Sequence, residues 1–289
     1  MNASLSLRAE RSNLVFLLDS GIQIFEKAGI ENSRRTAEIL LSHRLNCRPV
    51  DLYTTDPIVS KEQEIEFFWD VAARCGGMPL PYILGTAAFY GREFQVGPGV
   101  LCPRPETEQL VQKTLKILSE NNSFRTVADA GTGSGAIAVT LALEVPQLRV
   151  LASEKSPVAL SFAQRNARNL SAQVSFFEGD LAEPFENESI DLLIANLPYL
   201  DPSDILNGPR ELAWEPWLAL DGGKDGLDLF TGFLDQARRA VRSGGIVVLE
   251  IGAGQAAQVS ALAAQKSFID IQITADLAGM DRIISMRRG

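Results

Sequence analysis

Apolar residues recur every third or fourth position through the first quarter of the chain, then give way to short unbroken apolar runs. The first spacing is helical and the second is that of buried strands. Leu14, Leu18, Ile22 and Phe25, with Val15, Leu17 and Ile24 widening the stripe, predict a helix over 13–28 closed by Gly29. Ala37, Leu40, Leu41 and Leu45 predict a second helix over 33–46. Asp56-Pro57 breaks the chain, and Ser60-Lys-Glu-Gln63 is a capping-box pattern. Ile65, Phe68, Trp69 and Ala72 then predict a third helix, stopped by Gly76-Gly77. Residues 1–78 read as a small helical bundle with no visible chemistry.

Residues 79–102 change character and read as a linker. Pro79, Pro81, Gly85, Gly91, Gly97, Pro98 and Gly99 punctuate the short runs Ala88-Phe-Tyr90 and Glu93-Phe-Gln-Val96. Alternation on either side of Gly91-Arg92 predicts a β-hairpin. From 103 to 289 strands and helices alternate. Pro105, Glu106 and Glu108 suit a helix start, and Leu110, Val111, Leu115 and Leu118 give that helix an apolar face. Strands are expected at 126–130, 149–153, 173–178, 190–195, 246–251, 269–274 and 282–287. Helices are expected at 135–144, 157–169, 226–242 and 255–266, and a long insertion at 199–223. Such alternation implies a mostly parallel sheet with helices on both faces. The last two strands are joined by a turn too short for a parallel crossover, so they must pair antiparallel. The expected fold class is α/β: a mostly parallel seven-stranded sheet with an antiparallel terminal hairpin, preceded by the helical bundle and the linking β-hairpin.

Composition narrows the setting. A chain of 289 residues has room for about two domains. No apolar run reaches the ~18 residues of a membrane span. The start, Met-Asn-Ala-Ser-Leu-Ser-Leu-Arg, has no basic segment followed by an apolar core. Cys47, Cys75 and Cys102 make neither a disulfide framework nor a metal site. The expectation is a cytoplasmic protein without a metal. The net charge of −9 divides as −2 over residues 1–88 and −7 over the rest, so neither part carries the basic footprint of a nucleic-acid binder. The one histidine, His43, falls in a predicted helix far from any nucleophile motif.

The candidate chemistry starts at Asp129-Ala-Gly-Thr-Gly-Ser-Gly135, between a predicted strand and a predicted helix. Glycines there allow positive φ and close backbone approach, and the helix N-terminus offers free N–H groups to an anion. Gly131-x-Gly133-x-x-Ala136 weakly satisfies a dinucleotide fingerprint. The whole stretch closely resembles the loop of Rossmann-like S-adenosylmethionine-dependent methyltransferases. Glu154, about 20 residues beyond the glycines at the end of the next strand, is the acid expected on the ribose hydroxyls. Both cofactors want that acid, so it does not separate them.

Asn196-Leu-Pro-Tyr199 follows the fourth strand at the carboxyl edge, where open α/β sheets place ligands. Asn196 can accept through Oδ1, Leu197 offers a backbone carbonyl, Pro198 stiffens the loop and Tyr199 provides a flat face. Together they suit a planar –NH2 group, with two acceptors for its two hydrogens.

At this point the chain resembles the bacterial protein-(glutamine-N5) methyltransferases that modify peptide chain release factors. Phe89-Tyr-Gly-Arg-Glu-Phe-Gln-Val96, Val100-Leu-Cys-Pro-Arg-Pro-Glu-Thr-Glu-Gln-Leu-Val111 and the Asp129–Gly135 loop carry the resemblance. Glu215-Pro216, Ala219–Asp228, Leu249-Glu-Ile-Gly252 and Asp276-Leu-Ala-Gly-Met-Asp-Arg282 continue it.

The resemblance implies a class I methyltransferase domain over 103–289 and a substrate-recognition role for residues 1–78. It implies S-adenosylmethionine as cofactor, S-adenosylhomocysteine as product, and the glutamine of a Gly-Gly-Gln motif as methyl acceptor. It places Asp129, Gly131, Thr132, Gly133, Ser134, Gly135, Glu154, Asp180, Leu181 and Asn196 around the cofactor. Asn196, Leu197, Pro198 and Tyr199 fall at the reacting amide, with Arg104 as a further substrate contact. The partner expected is a release factor, with no membrane and no direct nucleic-acid binding, and the enzyme is expected to be a monomer.

Two positions depart from the family pattern: Leu197 stands where the family has proline, and Glu154 where it usually has aspartate. Leu181 falls where some members have an aromatic neighbour of the adenine. The alternative is an adenine-N6 methyltransferase acting on rRNA or DNA, which also uses an Asn-Leu-Pro-Tyr loop but needs a basic surface. A non-catalytic binder that keeps the fold is the option outside enzyme chemistry.

Overall fold

The structure is a computed structural model that describes residues 2–55, 57–276 and 278–289, with residues 2–12 followed as backbone. Asp56 of the expected chain break, Leu277 of the 276–282 segment and Met1 lie outside the described residues. The chain forms two compact units, residues 1–85 and 86–289.

The first unit is helical: α1 (Asn2–Lys27), α2 (Ser33–Arg44), α3 (Asp51–Thr54), α4 (Lys61–Cys75) and α5 (Leu80–Leu84). Its core is Leu14, Leu17, Leu18, Ile22 and Phe25 of α1 with Leu40 and Leu41 of α2, while Val15 and Ile24 face outward. The capping box at Ser60 and Gln63 forms as its pattern implies. The buried face of α4 differs from expectation. Ile65 and Trp69 are exposed, and Phe67, Asp70 and Val71 turn inward. Two contacts fix that rotation: Phe67 fills the space left by the missing side chain of Gly21, and Asp70 takes both Nε and Nη2 of Arg44 at 2.5 and 2.6 Å. The short helix α5, within the stretch read as linker, packs Leu80, Ile83 and Leu84 against the same core.

The second unit opens with a hairpin of β1 (Thr86–Phe89) and β2 (Arg92–Gln95), turned at Tyr90-Gly91. Helix α6 (Pro105–Glu120) follows. The sheet then builds through β3 (Thr126–Ala130), α7 (Ala136–Glu144), β4 (Arg149–Glu154), α8 (Pro157–Asn169), β5 (Val174–Glu178) and β6 (Ile190–Asn196). After the insertion, which contains α9 (Pro202–Asn207) and short 3₁₀ turns, come α10 (Asp228–Ala240), β7 (Val241–Glu250), α11 (Ala256–Gln265), β8 (Phe268–Ala275) and β9 (Asp281–Arg288). Strand order is β5-β4-β3-β6-β7-β9-β8, parallel except for β9, which is antiparallel to both neighbours.

Two apolar cores cover the sheet, one on each face. One joins α10 and α11 to β6 and β7, and the other joins α6 and α7 to β3 and β4. Strand β7 starts five residues before the expected 246, and Gly244 at φ +75° lets its first half bend. No helix among the described residues is long and apolar enough to cross a membrane.

Candidate active site

Strands β3 and β6 lie side by side, and the connection leaving β3 runs to β4 on one side while that leaving β6 runs to β7 on the other. That switch of direction opens a crevice at the carboxyl ends of the strands. Asp129 pairs in register with Ile194, so Asn196 ends its strand at the same edge as the glycine loop.

The loop from 129 to 135 is wound by its glycines, with φ of +73°, +56° and +81° at Gly131, Gly133 and Gly135. The N–H groups of Gly131 and Thr132 both donate to the Ser153 carbonyl on β4, at 3.0 and 2.9 Å. A Cβ on Gly135 would stand 3.1 Å from Cα of Ala163, so α8 can pack closely only against glycine. Thr132 and Ser134 are buried with the loop. Asn166 of α8, fully buried, donates to the Ser134 carbonyl at 2.9 Å and exchanges hydrogen bonds with the Gln95 backbone on β2.

Asp129 is fully buried. Its Oδ2 accepts from the Thr132 hydroxyl at 2.5 Å and the Ala138 N–H at 3.2 Å, while Oδ1 is buried with no hydrogen-bond partner. Burial pushes its carboxyl up to about 7, against the two hydrogen bonds and with help from nearby Glu154. Glu154, at the end of β4, accepts the Gly133 N–H through Oε2 and the Ser156 N–H through Oε1, both at 2.8 Å. Each oxygen keeps a second lone pair for another donor. Asp180 sits beyond β5 in a half-exposed ion pair with Lys155 at 2.9 Å. Leu181 takes φ +50°, its carbonyl accepts from the Ser153 hydroxyl at 2.5 Å, and its side chain lies beside Gly131.

At the other side of the crevice, Asn196 is half-buried and its Nδ2 donates to the Thr107 hydroxyl oxygen at 3.1 Å. The Thr107 hydroxyl donates to Oε2 of Glu250 at 2.8 Å, and the Tyr199 hydroxyl donates to Oε1 of the same carboxylate at 3.3 Å. Glu250 is buried at the end of β7, and that burial raises its carboxyl above the ordinary glutamate value. Burial, followed by the charge of Glu250, raises the Tyr199 phenol as well. The side chain of Leu197 is buried in the core beneath the loop.

The insertion folds back on this loop. The Gly222 N–H donates to the Leu200 carbonyl and the Leu200 N–H to the Leu220 carbonyl, and a Cβ on Gly222 would stand 2.7 Å from the Pro198 carbonyl oxygen. Gln255 reaches from the start of α11 to the carbonyls of Tyr199, Asp225 and Gly226. Arg104 forms an ion pair with buried Glu215, which also accepts the Cys102 N–H at 3.1 Å. Its guanidinium therefore ties the segment before α6 to the insertion.

The sequence motifs give roles to Asn196, Glu154 and the glycines; Thr107 and Glu250 fall within stretches that carry the family resemblance but receive no role there, and Asn166 and Gln255 fall in no motif. Glu250 carries a usable signal, since an acid that closes an otherwise apolar strand is rarely buried without partners. Among the described residues no cluster could hold a metal ion.

Comparison with known proteins places this geometry. Residues 17–85 match the family model of the PrmC N-terminal domain, and residues 105–207 match that of the methyltransferase small domain. A release factor glutamine methyltransferase of Geobacter sulfurreducens is 39% identical over 90% of this chain and 92% of its own length. The protein of that name from Neisseria gonorrhoeae is 43% identical over 73% of this chain and 77% of its own.

The chain belongs to the release factor glutamine methyltransferase family.

Solved structures agree on the fold. A methyltransferase from Pyrococcus furiosus superposes with a TM-score of 0.52 at 15% identity, covering 80% of this chain and all of its own. A 16S rRNA N2 G1207 methyltransferase of T. thermophilus gives 0.51 at 18% identity over 71% of this chain and 50% of its own. The family membership also favours the glutamine reading over the adenine one.

Proposed function

We propose that this chain transfers a methyl group from S-adenosylmethionine to the side-chain amide nitrogen of the glutamine in the Gly-Gly-Gln motif of peptide chain release factors. The observation that carries it is Asn196, held with its Nδ2 occupied by Thr107 at the crevice edge beside a glycine loop, in a chain of this family. With Nδ2 engaged, Oδ1 remains as the acceptor for an amide hydrogen.

The residues present suit the cofactor. The buried, unpartnered Oδ1 of Asp129 fits a cationic amino group, and the spare lone pairs of Glu154 fit ribose hydroxyls. Thr132, Ser134 and the N-terminus of α7 fit a carboxylate. Asp180 and Leu181 border the same edge and are assigned to the adenine side. When bound, S-adenosylmethionine supplies an electrophilic methyl carbon and leaves as S-adenosylhomocysteine.

An amide nitrogen is a poor nucleophile because its lone pair is delocalised. Asn196 Oδ1 and the Leu197 carbonyl each take one of its hydrogens and favour the pyramidal form that can attack. The Tyr199 ring walls the amide, and Pro198 limits the loop's freedom. The new N–C bond leaves the nitrogen cationic, which strengthens both hydrogen bonds in the transition state, and its proton is then lost. Leu197 in place of proline leaves that carbonyl available, because its side chain is taken up by the core. Arg104 acts here through Glu215, by holding the insertion that flanks the site. The enzyme works on a protein in the cytoplasm, as a monomer, with residues 1–85 engaging the release factor away from its glutamine.

The test is incubation with isotopically labelled S-adenosylmethionine and purified release factor, with the methyl group mapped by mass spectrometry. A label on the Gly-Gly-Gln glutamine supports the reading. No label there, with label on adenine in rRNA or DNA, overturns it.

A further inference from the structure

We propose that Thr107 and Glu250 are positioning residues that fix which end of the Asn196 amide faces the substrate, and that they form a one-way hydrogen-bond relay from α6 and β7. An asparagine side chain has a donor end and an acceptor end of nearly equal shape, so packing alone does not choose between them. Only the acceptor end can take a hydrogen from a substrate –NH2. Something must therefore hold the donor end away.

The relay supplies that choice. Glu250 lies at the end of β7, 1% exposed, and receives two hydroxyls: Thr107 on Oε2 at 2.8 Å and Tyr199 on Oε1 at 3.3 Å. Held ionised against its burial by these two hydroxyls and the nearby Arg282 charge, the carboxylate can only accept. The Thr107 hydroxyl has one hydrogen, and Glu250 takes it. The Thr107 oxygen is then left only with lone pairs, and the Asn196 group 3.1 Å from it must be the Nδ2 donor. The direction of the whole chain follows from the one group that cannot donate. The same carboxylate holds the Tyr199 hydroxyl, so it sets both the amide and the aromatic wall of the loop.

The placement suits a fixed device. Thr107 is 5% exposed in the first turn of α6, and Asn196 and Glu250 are register partners at the ends of β6 and β7. Thr107 thus spans two adjacent strand ends from a third element. None of the three hydrogen bonds touches the cofactor loop, so the relay should affect methyl transfer without affecting cofactor binding.

This inference rests on the glutamine reading of the same site, and the experiment separates the two. Wild type, Thr107→Val, Thr107→Ser and Glu250→Gln are saturated with S-adenosylmethionine and mixed with release factor in single-turnover runs. Cofactor affinity is measured by calorimetry on the same samples. Thr107→Val keeps the volume but removes the hydroxyl, and should lower the transfer rate at least tenfold with cofactor affinity within twofold. Thr107→Ser should stay within about threefold of wild type. Glu250→Gln introduces a donor, permits the relay to reverse, and should also lose at least tenfold; it keeps the inference testable if Thr107→Val misfolds. A Thr107→Val rate within twofold of wild type, or equal losses in the serine and valine variants, overturns the relay. Wild-type protein that leaves the glutamine unlabelled overturns the glutamine reading instead. In that case the Asn196 side-chain NH2, observed by 15N NMR, still tests the relay: its hydrogen exchange should speed up at least tenfold in Thr107→Val, and unchanged exchange overturns it.

Discussion

At the scale of single residues the proposed chemistry concentrates on Asn196, whose candidacy is legible because an Asn-x-Pro-Tyr run at a strand end has few structural reasons to exist. Asn196→Ala should cut single-turnover methyl transfer by about 10²-fold, since one preorganised electrostatic partner is typically worth ~3–4 kcal/mol. Cofactor affinity should change far less, and a collapse of affinity alone would move Asn196 to the cofactor site. Thr107 and Glu250 are not legible in the same way. Thr107 lies 89 residues from Asn196 in sequence, and only the folded sheet brings β7 beside β6. Asp129 reads as a loop acid, but its burial is not visible in the sequence, and burial decides its titration. With its carboxyl up to about 7 in the folded chain, the native state keeps a proton that the unfolded chain releases near the ordinary aspartate value. The folded form therefore binds more protons between about pH 4 and 7, and this group's contribution to stability falls as pH rises through that window. Asp129→Asn should remove that fall. Thermal unfolding of ligand-free protein at pH 5 and pH 7.5 should show a smaller difference for the variant, by on the order of a few kcal/mol at most. Equal pH dependence in the two proteins would show that Asp129 titrates normally.

Among the elements, the strand-loop-helix from β3 to α7 is the most legible, because each part of it is set locally. An apolar run makes the strand, three glycines make the turn, and helix formers follow. What the sequence does not show is that two of those glycines are required for different reasons. Gly133 takes φ +56°, and a methyl group on its Cα would meet nothing within 4 Å, so alanine there suffers only backbone strain of roughly 1–2 kcal/mol. Gly135 takes φ +81° and also backs onto Ala163, so alanine there adds the ~1–3 kcal/mol of an overpacked contact. Gly135→Ala should therefore lower the melting temperature clearly more than Gly133→Ala, as calorimetry would read; equal losses would mean that α8 shifts freely away. Helix α4 shows the opposite case. The expected apolar stripe is Ile65-Phe68-Trp69-Ala72; a second pair, Phe67-Val71, lies beside it on the helix. The fold buries the second, because only that stripe brings Asp70 to Arg44 and Phe67 over Gly21. Both partners lie on other helices, outside any local window.

For the molecule as a whole, the proposed division of labour follows the division of cores. The first unit has its own apolar centre, built from α1, α2 and α4 and completed by α5, and its outer faces leave Phe16, Tyr53, Ile58 and Trp69 at least 60% exposed. The second unit has two further cores of its own, and every residue assigned to the cofactor and the reacting amide belongs to it. The pattern of the sequence separates bundle from sheet but puts the end of the bundle near 78, because Pro79 and Pro81 look like breakers. In the fold Pro81 sits at the start of α5, where a missing N–H costs nothing, so the unit runs on to Gly85. A truncation should accordingly be cut at Thr86. Removing residues 1–85 should leave the sheet folded and cofactor affinity within a few-fold of the full chain. Methylation of an intact release factor should then fall by tenfold or more, while methylation of a short Gly-Gly-Gln peptide, which has nothing for the first unit to hold, should change little. Measured as kcat/KM on both substrates, unequal losses assign recognition of the folded partner to the first unit; equal losses on protein and peptide would make that unit a support for the catalytic one.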